Sequence, residues 1–563
     1  MPCNDPTTQP PNGQIAVVYD RFPVVDAADI AGGKGTIRGA ALAIRDNPGI
    51  YLPADQLGRL VEIDGLPRLY PDGLLARTVE KRYGLPTGDQ FDCLQTLARL
   101  PAGSTGCEDS YFGPHATVAR AERCLQEYDI HVRVAAQQDL LDVYRGIELP
   151  IISVAAEMIS DGLLLDVEGL EAFRATRQAA VDRATAEIRQ ASPRPVNPEF
   201  NLDVESLLFG DLGLPIMRRT RKGRASTGDR TLAGLAHQHP VIPPLAEHRK
   251  ANRLLQRAGE LLEAVHPATC RVHTRLDPLG ATTGRFTSKK PCLQNLPRQV
   301  LPFVIAPEGT VLMEADFGQM EMRVLAMVSQ EPRLLEAFEA GDVDLHRAAA
   351  AAALNLDPEA VTEQQRKIGK TMNFAIAYGQ TAIGLSESLG VPVTEAQELI
   401  DSYFTSYPAV RRWIGRTHAW MHNRWSVRTM YGRQWILPHD YDPSTPLYQR
   451  MQRQAVNAAI QGTAADIMKL ALARLHAALP ADVRMVLTVH DSVLLEVPID
   501  CVDEVGQHVR AIMETPPPGF TVPLRVEVST GRTWAECKTH TTPAENDGEQ
   551  AAQDHMSLEA ASH

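Results

Sequence analysis

The sequence predicts an α+β fold organised on an antiparallel sheet, and three observations carry that expectation. "RMVLTVHDSVLLEVP", Arg484 to Pro498, consists of two apolar, β-branched runs meeting at His490-Asp491-Ser492, which reads as a hairpin. "TVLMEADFGQMEMRVLAMVS", Thr310 to Ser329, reads as a strand over "VLMEA" followed by a helix over "QMEMRVLAMV", where apolar residues recur at helical spacing. From Val272 onward, strand-like and helix-like segments alternate irregularly rather than as regular βαβ units, which favours an antiparallel sheet.

The chain has 563 residues, too many for one core, so several domains are expected. Its 44% hydrophobic and 22% charged residues are those of an ordinary globular protein. No run approaches the ~20 apolar residues of a membrane span, and "MPCNDPTTQPPNGQ" has neither the basic start nor the apolar stretch of a secretory signal. The eight cysteines are scattered without metal-ligand spacing, which reads as reduced thiols in a cytoplasmic protein. A net charge of −13 weighs against a nucleic-acid partner. Phosphates, however, respond to local charge within a Debye length of ~10 Å, and "MRRTRKGR" (Met217 to Arg224) is strongly basic.

Taken in order, residues 1–14 read as a polar, Pro-rich tail and residues 15–146 as a mixed α/β segment. From Ile147 to Gln190 the pattern is helical apart from a turn at Gly162. A Pro-rich break, "ASPRPVNPEF", follows, and helices resume through "HRKANRLLQRAGELLEAV". Residues after Lys538 have few large apolar side chains and read as a second tail.

Asp316 falls where its strand ends, and Asp491 at the tip of the hairpin. Two readings stand for these carboxylates. They are unrelated turn aspartates, or they jointly hold two divalent ions ~3.5–4 Å apart, an arrangement suited to in-line phosphoryl transfer. Mg2+ is the fitting ion, since it combines one or two carboxylates with substrate phosphates. A further segment, "RKIGKTMNFAIAYGQ", spaces Arg366, Lys370, Phe374 and Tyr378 four residues apart. At about 100° per residue they follow one winding stripe of a helix. Like charges at that spacing repel by a few tenths of a kcal/mol, so the pair implies an anionic partner such as a triphosphate. The aromatics would then stack on a base. The alternative is an amphipathic helix with a solvated basic end and two core aromatics.

Asp316 in "DFGQME", the helix "RKIGKTMNFAIAYG" and the hairpin "VHDS" occur in the order of the three polymerase motifs of family A DNA polymerases, which the chain resembles. "TTGRFTSKKPCLQNLP", "RQAVNAAIQGTAADIMK" and "VEVSTGRTWAEC" resemble the segments flanking those motifs, and "ELPIISVAAEMISDGLLLDVEGL" and "HRKANRLLQ" resemble thumb helices. The resemblance runs from about residue 147 to 538. It implies a right-hand polymerase: thumb over 147–270, palm over 271–330 and 451–538, and fingers over 331–450, preceded by a reduced 3′–5′ exonuclease-like domain over 15–146.

The resemblance also implies roles. Asp316 and Asp491, with the backbone carbonyl of Phe317, would hold two Mg2+ ions, for which Mn2+ substitutes. Arg366, Lys370 and His346 would contact the incoming triphosphate, with Lys370 donating a proton to the leaving group. Phe374 and Tyr378 would pack against the nascent base pair, and Glu321, beside Gln319, would exclude a ribose 2′-hydroxyl. Arg285, Gln294, Asn295, Arg453, Asn457, Gln461 and His490 fall where the family contacts primer-template DNA, and Arg249 and Lys250 where thumb residues touch phosphates. The implied partners are primer-template DNA and deoxynucleoside triphosphates, with accessory replication proteins possible and no membrane. The implied state is a monomer in the cytoplasm of a bacterium or a virus-infected cell.

Departures from the family pattern matter. Ser492 stands where glutamate usually follows the hairpin aspartate, so the site reads as a two-aspartate centre, with Glu496 too far along the next strand to serve. On that reading Ser492→Glu leaves activity intact or modestly altered. Cys292 replaces an asparagine common ahead of "LQNLP", and Phe374, where some members have tyrosine, implies poor acceptance of dideoxynucleotides. Before residue 147 there is no Asp-x-Glu, and Leu125 stands four residues before Asp129 where proofreading chemistry needs Tyr or His. The expectation is an N-terminal domain without proofreading.

Overall fold

The computed structural model describes residues 15–22, 36–44, 50–53, 68–70, 73–83, 91–93, 96, 99–100, 114–220, 223–341, 344–377, 379–437 and 442–539. The first expected tail, the second from residue 540 onward, Tyr378 and the Arg221–Lys222 pair lie outside those residues.

The central element is a four-stranded sheet in the order Arg484–Val489, Ser492–Pro498, Thr310–Phe317, Val526–Gly531, with every neighbouring pair antiparallel. The α+β expectation is therefore met. This sheet is buried on both faces, so its strands lack the simple apolar–polar alternation of a half-exposed sheet. Met313, Ala315 and Phe317 point into the large core shared with the helices. Leu312 and Leu494 point the other way, into a smaller core with Leu163, Leu261 and Trp534. Asp316 lies on the Leu312 face, because side chains alternate along a strand.

Helices surround the sheet, and local chemistry sets where they start. The long helix Pro446–Ala478 opens on Thr445, whose hydroxyl accepts from Tyr448 N (3.3 Å), with Pro446 in the first turn where its missing N–H is harmless. Asp166 caps the helix Val167–Ala191 by accepting from Gly169 N (3.0 Å). The "DVE" of this segment is therefore helix-capping chemistry. Val167–Ala191 pairs with Ile242–Ala264 to form the helical arm expected ahead of the sheet.

The N-terminal region carries a five-stranded mixed sheet. Its order is Ile50–Pro53, Thr36–Ile44, Ile15–Phe22, Arg68–Tyr70, Phe91–Cys93, antiparallel across the first three strands and parallel across the last three. Residue 147, the expected division, lies within one continuous helical run of Leu141–Val143, the π-helical turn Tyr144–Glu148 and Leu149–Asp161. Pro150 sits in a first turn, where it does not break a helix. Val17, Ala40, Tyr70 and Val79 belong to the same buried cluster as Ile151, Met313 and Phe317.

Charged groups reinforce this junction. Arg99 grips Asp277 with two bonds of 3.0 Å, and Lys81 pairs with Asp161 at 3.1 Å. Deeper still, Glu148 meets Arg433 and Lys469 (2.6 Å), and Arg433 meets Asp466 (2.7 Å), all nearly inaccessible to water. Burial alone would raise the Glu148 carboxyl, but the two cations overrule it and hold it below its ordinary value.

Candidate functional site

Asp316 is the penultimate residue of its strand, and its ladder partner is Ser492, the residue directly after Asp491. Phe317 N donates to Asp491 O at 3.1 Å, so the backbone of the hairpin turn at Asp491 lies against the end of the Asp316 strand. The turn between Val489 and Ser492 is short, and His490 takes a left-handed conformation (φ 53°). Burial, then Arg285 and Lys538, push the His490 ring down to about 3, so it is neutral, and its buried Nε2 has no hydrogen-bond partner among the described residues. Burial pushes the Asp491 carboxyl up, against the pull of Arg285, whose Nη2 lies 3.7 Å away.

Arg285 also reaches Glu321 Oε1 at 2.7 Å. Glu321 lies in the first turn of the helix Met320–Ser329, which starts three residues after the Asp316 strand ends. Gln319 caps that helix in a left-handed conformation (φ 54°), and its buried Oε1 is unsatisfied among the described residues. Across the sheet's other neighbour, exposed Glu527 faces Asp316 in register.

The helix Glu363–Ala377 packs on Met320–Ser329 and closely on Leu345–Leu354. It carries Arg366 and buried Lys370, and both face His346: burial, then Lys370 and Arg366, push that ring down to about 4. Asn373 Nδ2 donates to His346 Nδ1 (3.1 Å), with its Oδ1 accepting from Tyr403 (3.3 Å). The neutral ring therefore carries its proton on Nε2, as a donor. The anion beside Arg366 is a protein carboxylate. Arg366 Nε donates to Asp344, which also caps Leu345–Leu354 through His346 N and Arg347 N (both 3.0 Å). A Cβ on Gly369 would sit 1.9 Å from the His346 carbonyl oxygen, so only glycine permits this helix pair. Phe374 is on the same helix.

The expected DNA contacts divide. Gln294 Nε2 donates to Thr488 O (2.9 Å), which ties it to the hairpin, while Asn295 is exposed beside it. Asn457 and Gln461 are buried one turn apart on the long helix, and Arg453 lies against Gly379. Lys250, with Arg253, Arg257 and Gln299, lines a cavity of 440 Å³. Arg249 bonds to the Thr227 carbonyl and hydroxyl and to Asn201 Oδ1 (3.2 Å), contacts that anchor the loop before it. Within the basic stretch, Arg218 pairs with Glu387 of the helix Ala382–Leu389 (3.0 Å), and Arg224 with Glu205 (2.8 Å).

Among the described residues, no three His, Cys, Asp or Glu side chains form a ready-made metal cluster. Asp316 near the end of its strand and Asp491 in the adjoining hairpin turn instead offer carboxylate oxygens, which suits a hard cation that completes its shell with phosphates and water. Glu496 is occupied elsewhere, paired with Arg271 at 2.8 Å.

Sequence reasoning missed Asp344, Gly369, Glu527, Glu314 and Lys538. Two of them had local signals. Asp344 precedes "LHRA" as a helix cap does, and Glu314 alternates with Asp316 in "EAD" and so shares its face.

The family model for DNA polymerase family A matches residues 167–536. The chain is 35% identical to a thermostable DNA polymerase I of Thermus filiformis over 76% of its own length and 52% of that protein's. It is 34% identical to a DNA polymerase I of Pseudomonas aeruginosa, over 72% of its own length and 45% of the relative. The chain thus spans about half the length of the curated relatives it matches. The solved POL domain of Pol1 from M. smegmatis, in complex with DNA primer-template and dNTP, superposes with a TM-score of 0.84 at 27% identity, covering 93% of this chain and 95% of that one.

Proposed function

The chain belongs to DNA polymerase family A, and from that premise we propose that it is a template-dependent DNA polymerase adding deoxynucleotides to a primer 3′ end and releasing pyrophosphate. The observation that supports this reading is the register of Asp316 opposite Ser492, with Phe317 N bonded to Asp491 O, which sets the hairpin turn carrying Asp491 against the end of the Asp316 strand.

Asp316 and Asp491, with the Phe317 carbonyl, would hold two Mg2+ ions, or Mn2+ in their place. Such ions, when bound, activate the primer hydroxyl and neutralise charge on the leaving pyrophosphate. The protein's own part is positioning and charge. Arg366 exchanges Asp344 for triphosphate oxygens, buried Lys370 supplies a proton to the leaving group, and neutral His346 donates from Nε2. Glu321, oriented by Arg285, excludes a 2′-hydroxyl, with Gln319 beside it. Phe374 and Tyr378 contact the nascent pair. Asn457, Gln461, Arg453, Gln294 and His490 bind features common to all base pairs, giving a sequence-independent grip. The site of action is the cytoplasm of a bacterium or infected cell. No helix of the described residues is long and apolar enough to cross a membrane.

We read the N-terminal sheet as an exonuclease-like domain without proofreading, since no Asp-x-Glu occurs before residue 147 and Leu125 stands four residues before Asp129, where that chemistry needs Tyr or His. One experiment tests both parts: primer extension with matched and 3′-mismatched primers. Matched primers extend with Mg2+, mismatched primers are not trimmed, and Asp316→Ala and Asp491→Ala each lower extension by about a thousandfold or more, ~4 kcal/mol. Extension surviving in either variant rejects the metal assignment, and trimming of the mismatch rejects the loss of proofreading.

A further inference from the structure

Ser492 replaces a carboxylate on the hairpin, yet a carboxylate is close by. Glu314 precedes Asp316 by two residues on the same strand, so both side chains lie on one face of the sheet. Ser492 Oγ lies 3.1 Å from Glu314 Oε1, and Lys538 Nζ reaches the same oxygen at 2.6 Å. Glu314 is 3% exposed. Lys538 comes from the last described helix, Trp534–Thr539, which is fastened to the same strand where Cys537 Sγ approaches Leu312 O (3.5 Å).

Stability does not account for a buried carboxylate here, since well-packed apolar side chains often serve as well or better, and Leu494 opposite Glu314 is apolar. Geometry gives a reason. The Ser492 hydroxyl has one proton and two acceptors within reach, Glu314 Oε1 and Val489 O (3.0 Å). An ionised carboxylate is the stronger acceptor. Directed to Glu314, that proton ties the hairpin to the Asp316 strand. Directed to Val489, it joins the hairpin only to itself.

We propose that Glu314 is a positioning residue of the two-aspartate site: anchored by Lys538, it fixes Ser492 and thereby the turn that presents Asp491 to Asp316. The inference rests on the metal-holding role proposed above. It also revises the expectation for Ser492→Glu, which would bring a second carboxylate against buried Glu314 and is costly.

The test uses the full chain with Ser492→Ala, Glu314→Leu, their double variant, and Glu314→Gln combined with Lys538→Met. Mn2+ binding to the primer-template complex is measured by isothermal titration, alongside kcat, KM, primer-template Kd and thermal melting. Ser492→Ala and Glu314→Leu should each weaken Mn2+ binding and lower kcat about tenfold, the scale on which outer positioning contacts act at metal sites. Primer-template Kd should not change, and the double variant should be no worse than the singles. Glu314→Gln with Lys538→Met keeps an oxygen acceptor without stranding a charge, and should retain most Mn2+ affinity. Ser492→Ala with Mn2+ affinity and kcat within twofold of the parent overturns the proposal, as does a double variant whose losses multiply. If Glu314→Leu does not fold, Ser492→Ala, which loses one hydroxyl, decides alone. A parent chain that binds Mn2+ but never extends a primer rejects the polymerase reading, while the titrations still decide whether Ser492 and Glu314 act together.

Discussion

Arg285 Nη2 lies 2.7 Å from Glu321 Oε1, and the same nitrogen is 3.7 Å from Asp491 Oδ1. One guanidinium therefore links the carboxylate assigned to sugar selection with a carboxylate assigned to metal holding. On the proposed role of Glu321, removing its side chain would open space beside the ribose. Glu321→Ala should raise ribonucleotide relative to deoxynucleotide incorporation by roughly a hundredfold, about 2.7 kcal/mol. Single-nucleotide incorporation with each sugar checks this, and an unchanged ratio would remove Glu321 from sugar selection.

Arg366 is held by Asp344 before any triphosphate arrives. Burial alone would raise the Asp344 carboxyl, but Arg366 and the Arg347 amide hold it below its ordinary value. On the proposed role of Arg366, a triphosphate would displace that carboxylate. Asn caps a helix about as well as Asp, so Asp344→Asn keeps Leu345–Leu354 intact while loosening the ion pair. The KM for nucleotide should fall about threefold, ~0.6 kcal/mol, within the range of a partly exposed pair. A risen KM in steady-state titration would instead make Asp344 a residue that aims Arg366.

Gly369 faces backbone, which cannot swing aside: a Cβ there would also lie 2.6 Å from Ala350 N. Gly369→Ala should force the Arg366 helix away from Leu345–Leu354, at an overpacking cost of about 1–3 kcal/mol. Nucleotide affinity, measured by fluorescence titration of the primer-template complex, should drop while primer-template affinity holds. Parent-like affinity for both would show that the helices separate without consequence.

Glu148 gives a pH-dependent prediction. Its carboxyl is depressed below the ordinary 4.5 in the folded chain. Its stabilisation is therefore complete above pH 4.5 and is lost as pH falls through the lower folded value. Glu148→Gln leaves Arg433 and Lys469 facing a neutral group and should cost about 3–5 kcal/mol at pH 7. Melting curves from pH 7 downward should show the gap between parent and variant narrowing below pH 4.5. A constant gap would mean that the stabilisation is packing rather than charge.

What the sequence made legible follows from where the information lies. Asp316 and Asp491 could be placed because each ends a recognisable strand, and strand ends converge when the strands pair. The Glu314–Lys538 contact joins residues from opposite ends of the sheet's chain path, which no local pattern reports. The Arg366–Lys370 stripe was visible as periodicity, whereas the carboxylate opposing it belongs to another helix. That the chain stays helical across residue 147 was not legible, because Gly146 and Pro150 occupy helical positions that tolerate them. The bonds of Arg249 to Thr227 and Asn201 could not be read ahead, because nothing near it in sequence announces either partner.

The shared core that unites Val17, Tyr70 and Val79 with Met313 and Phe317 bears on modularity. A piece whose apolar surface is also its neighbour's interior cannot be trimmed away as an appendage. Cutting the chain ahead of Leu149 would strip one wall from the helix Leu149–Asp161, which packs against Arg484–Val489 on its other side, and would sever Glu148 from Arg433 and Lys469. The N-terminal sheet thus acts as masonry for the catalytic floor. Its retention needs no enzymatic role to explain it.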